Sequence, residues 1–214
     1  MIDAERFDLI RRKHGAYASW AVWAPPSSTP KSNVGDLWVL DERANPMLLE
    51  TLNPGVVMVG LNFSRGSPYE PFRNFHDPRP EAHDFKIRFA FSGTPLWGAY
   101  MTDIIKSVVE PDSKALLKWL RRNPEVIMDH IDAFRQELSD LGHPRPMILA
   151  FGHAVYKLLI DNLQASEYAC ITKLMHYSNW ISKDRYRDIV HRQLGLVREL
   201  PNNGMQPTAF GRGC

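Results

Sequence analysis

The chain has 214 residues, enough for one hydrophobic core and short for two, so a single domain over 1–200 is expected. Its composition, 44% hydrophobic and 23% charged, excludes a disordered or fibrous chain, and no apolar run reaches the roughly 18 residues of a membrane span. A net charge of +2 gives no overall field for polyanions, so any nucleic-acid contact has to come from local basic clusters.

Taken in chain order, Ala4 to Arg12 reads as a short amphipathic helix. Gly15 to Pro30 is aromatic and then rich in Pro and Ser, and reads as an irregular segment over the core. Four apolar runs of strand length follow: Val56 to Val59, Gly98 to Ile105, Met147 to Phe151 and Tyr168 to Met175. Helical patterns fill the intervals at Ser113 to Arg122, Pro124 to Leu141 and Val155 to Leu163, with a last one at Asp184 to Leu194. The first of these intervening helices has Asp112 or Ser113 as its N-cap. Strands alternating with helices predict an α/β fold, a three-layer α/β/α arrangement around a four-stranded parallel sheet. The breaker-rich segment 201–214 has no periodicity and is expected to be a disordered tail.

In open parallel sheets, ligands bind beyond the carboxyl ends of the strands. The residues just after the four runs, and for the second run those within it as well, are therefore the candidates. They are Gly60-Leu61-Asn62-Phe63-Ser64, then Thr102-Asp103 with Lys106, then Phe151-Gly152-His153-Ala154, then His176-Tyr177-Ser178-Asn179-Trp180.

These four segments, in this order between Val56 and Leu194, resemble the uracil-DNA glycosylase superfamily. Members carry Gly-x-Asn-Pro-Gly or a variant after the first strand and a Thr-Asn-x-x-Lys-like segment in the second. They have an apolar strand ending in Leu-Gly before a helix, and a His-Pro-Ser-type loop after the last strand. This chain departs in three places: Phe63 and Ser64 replace Pro-Gly, Asp103 stands where the base-reading Asn often stands, and Tyr177 replaces Pro.

The resemblance implies a DNA glycosylase that hydrolyses the N-glycosidic bond of a damaged or deaminated base flipped out of the stack. It assigns Asn62 to holding the attacking water and His176 to donating a hydrogen bond to the departing base. Leu61 and Phe63 hold the base through backbone amides, Phe72 or Phe75 stacks on it, and Asp103 reads its edge. Ser64 and Ser178 contact the DNA backbone, while Tyr177, Asn179 and Trp180 wedge into the gap left by the flipped nucleotide. The expected partner is DNA, bound by a monomer without metal or other cofactor. His76, Asp77, His83 and Asp84 lack the HxxxH or CxxC frame of a metal site.

Plainer readings of the same residues stand beside these. Asn62 can satisfy loop backbone groups, His176 can be a structural hydrogen-bonder, and Asp103 can pair with Lys106. Arg121-Arg122, Lys183 to Arg187 and His191-Arg192 can be solvated helix faces rather than a DNA footprint. The resemblance also leaves open a catalytically silent nucleic-acid-binding module and a hydrolase or transferase of free nucleosides or nucleotides. Two cysteines, Cys170 and Cys214, make no disulfide framework, and Met1 to Arg6 lacks the apolar run of a secretory leader. Both point to the cytoplasm, with Cys170 packed in the core.

Overall fold

A computed structural model describes residues 2–62, 70–106, 108–110 and 112–196. Twelve elements matter for the site: α1 (Ala4–His14), β1 (Ala18–Trp20), α2 (Leu48–Thr51), β2 (Asn53–Asn62), α3 (Asp84–Phe91), β3 (Ala99–Ile105), α4 (Ser113–Leu120), α5 (Pro124–Leu141), β4 (Met147–Phe151), α6 (His153–Asn162), β5 (Cys170–Leu174) and α7 (Lys183–Gln193). Asp112 caps α4, its carboxylate accepting from the Lys114 amide, and Gly142 ends α5 in the left-handed conformation.

The sheet has five strands in the order β1-β3-β2-β4-β5, not four. β2, β3, β4 and β5 are mutually parallel, and the added β1 runs antiparallel against β3. β1 lies inside the stretch read from sequence as irregular. Its three residues Ala-Ser-Trp are too short to show a period, and pairing with the buried β3 supplies the hydrogen bonds that local pattern does not announce.

Because strand side chains alternate, the sheet feeds two cores. Val57 and Val59 of β2, Tyr100 and Ile104 of β3, and Ile148 and Ala150 of β4 pack beneath Phe7, Ile131, Phe134, Val155 and Leu159 from α1, α5 and α6. Val56 and Met58, Ala99 and Met101, and Leu149 and Phe151 face the other way, beneath Ile87 and Phe91 of α3 and Tyr186 and Val190 of α7. The result is a three-layer α/β/α arrangement. No helix among the described residues is long and apolar enough to cross a membrane. Cys170 is half-buried at the start of the edge strand β5 rather than packed in the core. The segment 201–214, expected to be disordered, lies outside the described residues.

Candidate functional site

The chain leaves β2 to form β3 on one side and then β4 on the other, so the crossover direction reverses at β2. A crevice is expected where the carboxyl ends of β2 and β4 diverge. A cavity of about 520 Å³ opens there, lined by Leu61 and Asn62 of β2, Asp103 of β3, Phe151 to Val155 at the β4–α6 junction, and His176, Tyr177 and Ser178 after β5. Asp77, Arg79, Glu81, His83 and Asp84, at and before the start of α3, line it too.

Gly60 and Asp103 are register partners on β2 and β3, on the face turned toward α3 and α7. A Cβ at Gly60 would lie 2.2 Å from Asp103 Oδ1, so the missing side chain makes the space that the carboxyl occupies. Asp103 is only 4% exposed. Its Oδ2 accepts from the Asn74 side-chain amide at 3.0 Å, and Oδ1 makes no hydrogen bond among the described residues. Burial pushes its pKa up to about 7, against the Asn74 hydrogen bond and Lys106, which favour the ionised form. Lys106 does not pair with this carboxyl: its ammonium donates to the Asp103 backbone carbonyl at 2.8 Å and lies 3.1 Å from Glu137.

In the sequence Asp84 stands only as a possible metal ligand without a frame. It opens α3, is 7% exposed, and accepts the Asp77 backbone amide on Oδ2 at 2.9 Å. Its Oδ1 likewise has no hydrogen bond among the described residues. Burial, and then the neighbouring Asp77 and Asp103, raise its pKa to about 7. The signal available in the sequence was an acid opening an apolar helical run, where an acidic side chain suits the helix N-terminus.

His176 follows β5. Its Nδ1 receives the Ser178 backbone amide at 3.1 Å and lies 2.8 Å from the Ser178 hydroxyl. A backbone N–H can only donate, so Nδ1 carries no proton and the neutral ring holds its proton on Nε2. Burial, and then His83, lower its pKa to about 4, which keeps it neutral. Gly152, with φ of +91°, lets the chain turn from β4 into α6 beside the His176 Cβ, and its amide donates to the Leu174 carbonyl.

The other candidates separate. Leu61 is buried and lines the cavity. The Asn62 side-chain amide donates to the Val108 and Glu110 carbonyls, tying the end of β2 to the loop after β3, which is the loop-satisfying reading. Phe63 and Ser64 lie outside the described residues. Phe72 is not at the cavity: a left-handed φ of +65° turns it into the opposite core against Phe7, with ring centroids 5.5 Å apart. Phe75, also left-handed, sits under Gly60, its ring edge 3.4 Å from where a Cβ there would be. It is 4% exposed and does not line the cavity, so it underlies Gly60 and offers no stacking face there.

Tyr177 does not project as a wedge. It stacks on His176 at 4.5 Å and meets Phe151 edge-on at 5.3 Å, so its apolar body completes the inner wall. Asn179 turns the loop through its amide to the His176 carbonyl, while its own carbonyl accepts from the Lys86 ammonium. Trp180 projects outward, 96% exposed, and Ser178 and Asn179 before it are exposed as well.

Part of the basic surface is already engaged. Arg187 donates to the Phe89 carbonyl, His191 lies 2.7 Å from the Ala90 carbonyl, and Lys183 sits over the Phe89 ring and beside Asp184. These contacts hold α7 to α3, so His191 and Arg187 serve the fold before any anion. Among the described residues no group of three or more His, Cys, Asp or Glu could hold a metal ion. No family model, no curated protein and no solved structure matches this chain.

Proposed function

We propose that this chain hydrolyses the N-glycosidic bond of a base flipped from DNA, as a glycosylase of the uracil-DNA glycosylase type. The observation that carries the reading is His176. Its ring is fixed in one neutral tautomer by Ser178 and lines a cavity of about 520 Å³ at the carboxyl ends of the parallel strands. A neutral imidazole N–H donates to a base oxygen without presenting a competing full charge, and it strengthens as negative charge grows on the leaving base.

In the reaction the bond between sugar carbon and base nitrogen breaks, and its electron pair goes to the base. The water oxygen bonds to the sugar carbon; one water proton ends on the base and the other stays in the new hydroxyl. Removing a single positioned donor of this kind costs on the order of 10²-fold in rate. A pKa of about 4 makes His176 a poor general base, so a Ser178 nucleophile activated by His176 is disfavoured. Asn62 acts in this account as a positioning residue for the loop after β3.

A second reading, a hydrolase of free nucleosides, is favoured by the lining itself. Asp77, Glu81, Asp84, Asp103 and Glu110 face one arginine, Arg79, which is paired with Asp77. An uncharged nucleoside enters such a cavity without bringing phosphates near carboxylates.

The experiment is a panel of oligonucleotides carrying uracil, hypoxanthine, xanthine, 8-oxoguanine or a thymine mismatch, alongside the corresponding nucleosides, with released base detected by mass spectrometry. Release from one strand substrate, lost in His176→Ala, is the expected result. Release from nucleosides only selects the second reading, and no release from any substrate rejects both.

A further inference from the structure

Two carboxyl groups in one cavity, each with one oxygen committed and one uncommitted, define what that cavity can bind. Asp103 Oδ2 is held by Asn74 and Asp84 Oδ2 by the Asp77 amide, while both Oδ1 atoms lack hydrogen bonds among the described residues. Both side chains are more than nine-tenths buried and both line the cavity, so each uncommitted oxygen is presented to whatever occupies that cavity. The clamp on Asp103 is built deliberately. Asn74 spends its amide on Asp103 and on the Tyr17 carbonyl, and its carbonyl accepts the Phe75 amide, while Gly60 leaves the room. The third polar group, His176, offers the opposite function, an N–H donor.

We propose that Asp84, Asp103 and His176 select a 2-amino-6-oxopurine, a guanine or modified guanine, as the base. Its edge presents a carbonyl oxygen followed by two N–H donors, matching one donor and two acceptors. Uracil presents one N–H between two carbonyls, and hypoxanthine lacks the amino group, so either leaves a buried carboxyl oxygen unmet. Sites built around buried hydrogen bonds reject such analogues by large factors. The cavity volume falls within the range of ligand pockets of this kind. The inference rests on the base-binding half of the proposed function and is independent of whether the bond is cut.

The test is equilibrium binding of deoxyguanosine, deoxyinosine and deoxyuridine to the full chain by titration calorimetry, with wild type, Asp103→Asn and Asp84→Asn. An amide keeps the size and one carbonyl acceptor of each side chain, and circular dichroism reports the fold. Should one variant fail to fold, the other decides. Deoxyguanosine is expected to bind about 10-fold or more tighter than deoxyinosine, and the difference is expected to shrink to a few-fold in either variant. Equal binding of deoxyguanosine and deoxyinosine, discrimination that survives in the folded variants, or no binding of any nucleoside overturns the proposal. Discrimination without base release from any substrate upholds it while rejecting the glycosylase reading. Discrimination against guanine together with strong uracil release does the reverse.

Discussion

The backbone amide of Ser178 lies 3.1 Å from His176 Nδ1, and its hydroxyl lies 2.8 Å from the same atom. Two donors on one nitrogen are compatible only with an unprotonated Nδ1. Nitrogen NMR should therefore show a neutral His176 with its proton on Nε2 from about pH 8 down to about pH 5. Protonation near the ordinary histidine pKa would remove the basis for its assigned role. Ser178→Ala, which keeps the backbone donor, should preserve the tautomer and cost far less activity than His176→Ala.

The titrating groups that line the cavity make opposite contributions to stability. The folded pKa of His176 lies below its unfolded value of 6.5, so the unfolded chain binds the proton first as pH falls. Its contribution is intact above about 6.5 and is lost towards pH 4. Asp84 and Asp103 have folded values of about 7 against 3.8, so the folded chain holds their protons longer, and their burial penalises stability as pH rises through that window. Asp84→Asn and Asp103→Asn should each raise the melting temperature at about pH 8 and change it little at about pH 4. A fall at about pH 8 in both folded variants would contradict the burial account.

Gly60 is needed for Asp103 rather than for its own backbone. Gly60→Ala places a methyl where Asp103 Oδ1 now lies, 2.2 Å away. Overpacking of this kind costs about 1–3 kcal/mol, readable by urea denaturation. The displaced carboxyl should also lose its discrimination among bases. Unchanged stability would mean that the carboxyl sits elsewhere.

Much of the scaffold was legible in the sequence. The uninterrupted apolar run Met147–Phe151 became β4 with its bounds unchanged, and Pro124–Leu141, opened by proline and closed by Gly142, became α5. Helix α3 was not, because Asp84, Lys86 and Arg88 are buried beside Ile87 and Phe91. The helix has no polar face to give a period, and His83 supplies no side-chain cap. The site was legible in its segments and less so in its groups. His176 followed one apolar run and Asp103 lay within another, so both could be placed, whereas Asp84 reaches the cavity only because α3 packs across the sheet. Phe72 and Phe75 differ by three residues and end in opposite cores, since the left-handed backbone at each reorients the ring in a way no periodicity encodes.

The two aromatics after His176 divide their tasks. Trp180, 96% exposed, should contribute to strand binding and not to folding. Trp180→Ala is expected to weaken single-stranded oligonucleotide binding by about 1–3 kcal/mol, a base-stacking value, with no change in thermal stability or nucleoside binding. Tyr177→Ala should instead destabilise the fold by about 3 kcal/mol, because its ring fills the wall against Phe151 and His176. Unaltered oligonucleotide affinity in Trp180→Ala would argue against DNA as the partner.

The most direct measurement is the single-turnover rate of base release by wild type and His176→Ala on the best strand substrate, with the Asn62→Ala variant alongside. The account predicts a loss of about 10²-fold or more in His176→Ala with the fold intact, and a smaller loss in Asn62→Ala through its loop contacts. Release by His176→Ala within a few-fold of wild type would contradict it.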